Sequence, residues 1–327
     1  MAVLQRTFSD PTKKDPFRWF LGLCMSSCFS LTYFIAPFYM LTAIFVLLFN
    51  YPNRTLAWLY VAPIFVSALL PSMASPWLLS QLTALADYFE YEEIHETSPR
   101  DVWTEVKEGK SNFLIVKQPH GALSYTGMVS AVMAPPEIRG VVKTAVADAL
   151  LVTPILKHVM GIFGLISASK KNLIQTFQKK GAEGTVVLYV GGLAELFLSC
   201  EEEEKLYLNK RKGFIKLALT QGIDIVPVYL FGNTSVLSVL KTGILATLSR
   251  RLQVSLTYIW GRWGLPIPRD VKLLYVTGQP LGLPKIEQPT QEDIDKYHKL
   301  YCEQVSRLYE KYKEKVPEYK HKKLIIV

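Results

Sequence analysis

The sequence predicts a membrane-anchored α/β domain, a mostly parallel sheet flanked by helices, preceded by an N-terminal two-segment membrane hairpin. Three observations carry this. Short β-branched runs closed by glycine alternate with helical stretches after residue 87. Two uncharged stretches, 19–53 and 55–86, precede them, each longer than the about 20 residues an α-helix needs to cross a bilayer core. The 327 residues suffice for one large domain behind such an anchor.

The hairpin comes first. No Asp, Glu, Lys, Arg or His lies between Arg18 and Arg54, nor between Arg54 and Asp87. A cleaved signal peptide fits poorly, because the first stretch is too long and a second follows after the tight turn "NYPNRT". Arg6, Lys13, Lys14 and Arg18 precede the pair and only Arg54 separates its arms, so the positive-inside rule puts both termini in the cytosol. Pro37 divides the first stretch, which leaves open a segment that dips in and out. The expected organisation is a tail over 1–16, a hairpin over 17–86 and a cytosol-facing domain over 87–327.

The domain follows in order. "DYFEYEEIHE" (87–96) reads as an acidic connector, "NFLIVK" (112–117) as a strand and 122–133 as a small-residue helix. "KKNLIQTFQKKG" (170–181) predicts a helix stopped by Gly181, and "TVVLYV" (185–190) a strand ending in Gly191-Gly192. The stretch 204–222 reads as helical despite Gly213; 223–232, 254–261 and 271–278 read as strands closed by glycine. Thr290, with Asp293 at the capping-box offset, opens a last helix. Its apolar positions Ile294, Tyr297, Tyr301, Val305, Leu308 and Tyr312 advance by three or four and give one buried face.

Composition excludes several classes. The net charge of +9 comes without zinc spacing, an RNP-like strand or a basic helix, which argues against nucleic acid. Beside a membrane, basic character points to anionic head groups or a phosphorylated substrate. Of the four cysteines, Cys24 and Cys28 lie in the membrane stretch and Cys200 and Cys302 are isolated. No metal spacing or disulfide framework results, as suits a reducing cytosolic face. An integral transporter fails because only two hydrophobic stretches exist and neither holds a charge.

Chemistry is expected beyond the C-terminal ends of the strands. Two unusual turns lie there, Gln118-Pro119-His120-Gly121 and the "GGLAE" of 191–195, which would bring His120 and Glu195 into one site. With five histidines in the chain, candidates for a neutral-pH base are few; the alternative for His120 is an ordinary turn residue. The G-x-S-x-G elbow and the usual phosphate loops are missing. A base without a nucleophile suits direct attack of a substrate hydroxyl on an activated carbonyl, with donors for the oxyanion. The run Lys210, Arg211, Lys212, with Lys216 one turn on, is either a solvated face or a phosphate-binding cluster.

Taken together, "QPHG", "YVGGLAEL" (189–196), "RKGFIKLAL" (211–219), "DIVPVYLFG" (224–232), "GRWGLPIP" (261–268) and "LPKIEQPTQEDIDKYHKLY" (283–301) resemble the type-2 diacylglycerol acyltransferases, a group that includes monoacylglycerol acyltransferases and some wax synthases. The resemblance, hairpin included, covers nearly the whole chain in the family's order. It implies an enzyme of the endoplasmic reticulum membrane that moves a fatty acyl group from acyl-CoA to the free hydroxyl of diacylglycerol, giving triacylglycerol and CoA. Acyl-CoA is then a cosubstrate, and no metal or organic cofactor is implied. Membrane lipids are expected partners and nucleic acid is not; homo-oligomer formation and lipid-droplet association stay open. By position, His120 matches the family's essential histidine, and Glu195 would orient the imidazole or stabilise its charged form. Pro119 and Gly121 would hold the turn for substrate, Arg211 and Lys212 would contact CoA phosphates, and Asn233 would supply a donor near the reacting carbonyl.

Three positions depart from the family. Gln118 stands where a first histidine is usual, and is expected to act as a replaceable hydrogen-bonding neighbour of the substrate turn. Tyr125 stands where related glycerolipid acyltransferases have the aspartate of His-x-x-x-x-Asp, which shifts weight to Glu195. "LISASKKN" (165–172) replaces a Pro-x-Ser-Arg element, so that arginine's role is lost or moved to Lys170. The alternatives are a monoacylglycerol acyltransferase, a wax ester synthase, or a non-catalytic membrane lipid-binding protein, which Gln118 would favour.

Overall fold

The computed structural model describes residues 3–8, 15–49, 54–96, 102–198, 202–242 and 257–327. The turn residues 50–53, Lys13, Lys14, Cys200 and the expected strand residues 254–256 lie outside them. The described strands, in chain order, are β1 Val3–Thr7, β2 Glu92–Glu96, β3 Phe113–Gln118, β4 Lys143–Val146, β5 Leu165–Ser167 and β6 Val186–Leu188. There follow β7 Glu203–Leu206, β8 Asp224–Phe231, β9 Ser238–Val239, β10 Ile259–Trp260, β11 Leu274–Thr277 and β12 Lys323–Ile326.

The main sheet has the order β1-β2-β11-β8-β3-β6-β4-β5. From β8 through β3, β6 and β4 to β5 every pairing is parallel, as expected. At the other edge β11 runs antiparallel to β8 and β1 antiparallel to β2. All of β3 is buried, the mark of a strand covered on both faces. Its alternate residues serve two cores. Phe113 and Ile115 pack with Tyr125, Val129 and the N-terminal helices, while Leu114 and Val116 pack with Ile215, Tyr301 and Tyr309 of the later helices.

A stretch read as a connector and part of one read as a helix turn out to be strands. The acidic stretch 87–96 ends in β2, paired with β1 and β11. Within 204–222 only Gly213–Gln221 is helical, and Glu203–Leu206 is β7, parallel to the C-terminal β12. Partners this distant in sequence supply the pairing, which overrides local helix propensity. Gly213 therefore begins the helix instead of interrupting it.

The first uncharged stretch forms one continuous helix, Pro16–Phe49, with Pro37 inside it. It is the one described helix long and apolar enough to cross a membrane. Its lower part is docked on the domain. Gly22 leaves no room for a Cβ, which would lie 2.3 Å from the Ala84 carbonyl oxygen and 2.7 Å from the Tyr88 Cβ. The Ser30 hydroxyl donates to the Pro266 carbonyl at 2.7 Å, and the Tyr125 hydroxyl to that of Ser26 at 2.7 Å. Its upper part leaves Leu41, Phe45, Leu48 and Phe49 exposed.

The second stretch differs from the expected crossing. Its helix, Arg54–Leu69, has 16 residues and rises about 24 Å, short of the about 30 Å of hydrocarbon. The chain leaves helix at Leu70-Pro71 and continues in the short helices Pro76–Gln81 and Ala84–Tyr88. Those bury Leu79, Leu85 and Tyr88 in the core, so the stretch is uncharged partly because the domain needs it apolar.

The last helix, Gln291–Tyr312, begins with the expected capping box of Thr290 and Asp293. It is tied to β2 through Glu96, whose side chain is fully buried. Arg307 grips this carboxylate in a fork at 2.9 and 2.6 Å, and Lys311 and the Tyr312 hydroxyl add bonds at 2.8 and 3.0 Å. Burial alone would raise the Glu96 pKa, but these donors outweigh it and lower it to about 2. Its contribution is therefore present above the ordinary value of 4.5 and is lost as pH falls towards 2. Glu96→Gln is expected to cost about 3 kcal/mol, because three donors lose their charged partner. Thermal melting at pH 7 would show the loss, and the gap from wild type should close at pH 2.

Candidate active site

A cavity of about 940 Å³ lies between the sheet, the helix Tyr125–Met133 and the long apolar helix, whose Tyr33, Pro37 and Met40 line it. His120 lines it from the turn between β3 and Tyr125–Met133. The strand holds one end of that turn and the helix, starting after Ser124, the other.

The imidazole is held in a defined tautomer. Its Nδ1 lies 2.8 Å from the Gly121 carbonyl oxygen, which can only accept, so Nδ1 carries the proton. Nε2 then presents a lone pair and makes no hydrogen bond among the described residues. Burial pushes the His120 pKa down, and the Gly121 carbonyl opposes this less strongly. The ring meets Tyr189 edge-on with centroids 5.0 Å apart.

The turn is clamped from β8. Gly232 ends that strand, and Asn233, 1% exposed, follows it. Its amide nitrogen donates to the carbonyls of Pro119 at 2.8 Å and His120 at 2.7 Å, while its oxygen accepts from the Thr126 N–H at 3.1 Å. Gly121 has φ +64°, and a Cβ there would sit 2.8 Å from the Asn233 carbonyl oxygen. Only glycine meets both conditions.

Glu195 comes to the same turn by a different contact from the one expected. One carboxylate oxygen accepts from the His120 backbone N–H at 3.0 Å, and the other from the Tyr207 N–H at 3.3 Å. Burial raises its pKa to about 7, with the two backbone donors opposing. The side chain thus holds the peptide of His120 and leaves the imidazole to the Gly121 carbonyl.

Other expected residues are more scattered. Gln118 faces away from the cavity, since alternation along β3 turns it to the opposite side of the sheet from Lys117. There its amide donates to the Tyr301 hydroxyl at 2.8 Å. Pro119 serves through its carbonyl, as the acceptor for Asn233. Arg211 lines the cavity with its guanidinium over the Tyr207 ring, whereas Lys212 pairs with Asp295 at 2.7 Å on the surface. Lys170 is exposed at the start of its helix and does not line the cavity.

Sequence reasoning passes over Ser124, Tyr189 and Lys117. The Ser124 hydroxyl donates to the Tyr189 oxygen at 2.9 Å, which leaves the Tyr189 O–H to donate elsewhere. Burial raises the Tyr189 pKa to about 12, so this donor stays protonated. The signal for Lys117 is the same alternation that turns Gln118 away.

The sequence matches the diacylglycerol acyltransferase family over residues 52–327. Human diacylglycerol O-acyltransferase 2 is 32% identical over 176 residues, covering 50% of this chain and 45% of that protein. Human diacylglycerol O-acyltransferase 2-like protein 6 is 30% identical over 228 residues, 62% of this chain and 67% of that one. Human 2-acylglycerol O-acyltransferase 3 is 34% identical over 184 residues, 52% and 54% of the two chains. The chain thus spans about half the length of two of these three relatives. Among solved structures, a 1-acyl-sn-glycerophosphate (LPA) acyltransferase from Thermotoga maritima superposes with a TM-score of 0.40 at 15% identity, covering 93% of this chain and 99% of that one. Because the match takes in the His120 turn, the Glu195 and Asn233 clamps and every strand except β1, the chain belongs to the diacylglycerol acyltransferase family.

Proposed function

We propose that this protein is an acyl-CoA-dependent O-acyltransferase that esterifies the free hydroxyl of diacylglycerol, giving triacylglycerol and CoA. The observation that carries the proposal is the His120 Nε2 lone pair, fixed by the Nδ1 bond to Gly121 at the wall of a large, mainly apolar cavity. The acceptor hydroxyl gives its proton to Nε2 as its oxygen attacks the thioester carbon. The carbonyl oxygen takes the electron pair and becomes an oxyanion, for which the Tyr189 O–H is a donor. Collapse breaks the C–S bond, and the CoA thiolate takes the proton back from the imidazolium.

Depressed basicity suits His120, which stays neutral and ready at pH 7. Glu195 and Asn233 position the turn, Gly121 permits it, and Arg211 lines the cavity wall, where it would meet a CoA phosphate. Lys212 would need to leave Asp295 to join it. Acyl-CoA enters as cosubstrate, and the chemistry calls for no metal.

The exposed apolar surface of Pro16–Phe49 supports a membrane anchor, and the family reading adds the endoplasmic reticulum as its membrane. Helix Arg54–Leu69 would then return within the bilayer as the shorter arm of a hairpin that ends near Leu69, with the domain that follows facing the cytosol. A second reading keeps the chemistry and changes the acceptor. Relatives named for 2-acylglycerol and wax alcohol share the family, so a monoacylglycerol or a fatty alcohol would use the same base.

The test supplies oleoyl-CoA to membranes from cells lacking neutral-lipid synthesis, with this protein expressed. Dioleoylglycerol, monooleoylglycerol and hexadecanol are offered separately. Triacylglycerol is the expected major product. Preference for another acceptor would select the second reading, and no ester from any of them, with expression confirmed, would refute catalysis.

A further inference from the structure

One buried ionisable cluster in the cavity has no part in the reaction above. Lys117, 5% exposed, points into the cavity from β3, three residues before His120. Its Nζ donates to the Ser130 hydroxyl at 2.8 Å and lies 4.9 Å above the Tyr275 ring. Ser130 in turn donates to the Gly127 carbonyl at 2.7 Å. Across from it Glu93 accepts from the Tyr91 hydroxyl at 2.8 Å and pairs with His95 at 3.0 Å. Glu93, His95, Lys117, Ser130 and Tyr275 all line the cavity that His120 lines.

We infer that Lys117 and Ser130 form a subsite that recognises an ester carbonyl of a glyceride acceptor. The inference rests on the acyltransferase reading. An ammonium group carries three N–H donors and no acceptor. Among the described residues its one hydrogen bond is to Ser130, so further donors meet the cavity unfilled. Any acceptor that enters the cavity beside Lys117 can take up these donors. Hydrocarbon supplies none.

Charge narrows the class. Glu93 is close enough to act on Lys117, drawing its pKa up against the burial that lowers it to about 7. A carboxylate or phosphate in the subsite would face that Glu93 repulsion, whereas a neutral carbonyl oxygen would not. A fatty alcohol presents a hydroxyl and nothing for Lys117.

The decisive comparison needs no variant. Dioleoylglycerol and its diether analogue carry the same hydroxyl and the same chains, but the ether has no carbonyl. At pH 6.5, where Lys117 is mostly protonated, the wild type is expected to show a KM at least about 10-fold lower for the ester, with similar kcat, because a hydrogen bond to a charged group is worth this much. Lys117→Met should raise the diester KM to the diether value while hexadecanol esterification stays within about 2-fold. Equal use of ester and ether by the wild type overturns the inference, as does an equal loss on all acceptors in Lys117→Met. Direct binding of the two glycerides to the purified full chain, by calorimetry in detergent, reads the same preference without turnover. Ester preference in binding with no product formed would keep the subsite and refute the acyltransferase reading; equal binding with activity intact would do the reverse.

Discussion

His120→Ala is expected to lower acyl transfer by about 10³-fold, with acyl-CoA binding largely retained. The substitution removes the Nε2 lone pair and leaves the Glu195 contact in place, since that contact uses the His120 backbone N–H. The Asn233 clamp also holds only the backbone, so the turn should persist. Retained thermal stability with lost turnover would separate this outcome from unfolding. The same base predicts the wild-type pH profile. Protonation disables an acceptor of protons, so activity falls as pH drops through the His120 pKa. Burial depresses that pKa from its ordinary 6.5, so the half-point that belongs to this base should lie below 6.5. A half-point above 6.5 would exclude the buried imidazole as the controlling base.

Asn233→Asp is expected to abolish activity and lower stability by about 3 kcal/mol, although it changes little in shape. The Asn233 amide nitrogen makes two donations, to Pro119 and His120, from a site 1% exposed to solvent. An aspartate would turn a carboxylate oxygen against both carbonyls. Its other oxygen would still accept from the Thr126 N–H, so only the clamp on the turn is reversed. Thermal melting and an acyl-transfer assay on the same preparation would test this. Wild-type stability would mean that the turn does not depend on Asn233.

Part of this site is legible in the residues alone. Local signals place a histidine between proline and glycine at the end of an apolar strand, and they place the GGLAE turn at the end of β6. The partner of each side chain is less accessible. Strand-end position brings both Glu195 and the imidazole to one site, yet the carboxylate reaches the peptide of His120 while the imidazole turns to its own neighbour. Nothing in residue spacing distinguishes a backbone N–H from a ring nitrogen as the group a carboxylate will meet. The opposite orientations of Gln118 and Lys117 escape sequence reasoning for another reason. A strand with both faces buried shows a continuous apolar run, so its alternation is masked at the positions where it matters for function.

By itself the sequence determined the elements whose causes are short-range. The α/β alternation, the capping box at Thr290, the apolar length of Pro16–Phe49 and the His120 turn all follow from residues within a few positions of one another. Tertiary structure decided what depends on distant partners. It made strands of 92–96 and 203–206 by pairing them with β11 and β12. It drew the end of the second uncharged stretch into the core, and it set Asn233 on carbonyls 114 and 113 residues away. Caps and periodicity are local free energies, but a sheet edge, a buried face and a clamp exist only once remote segments have packed.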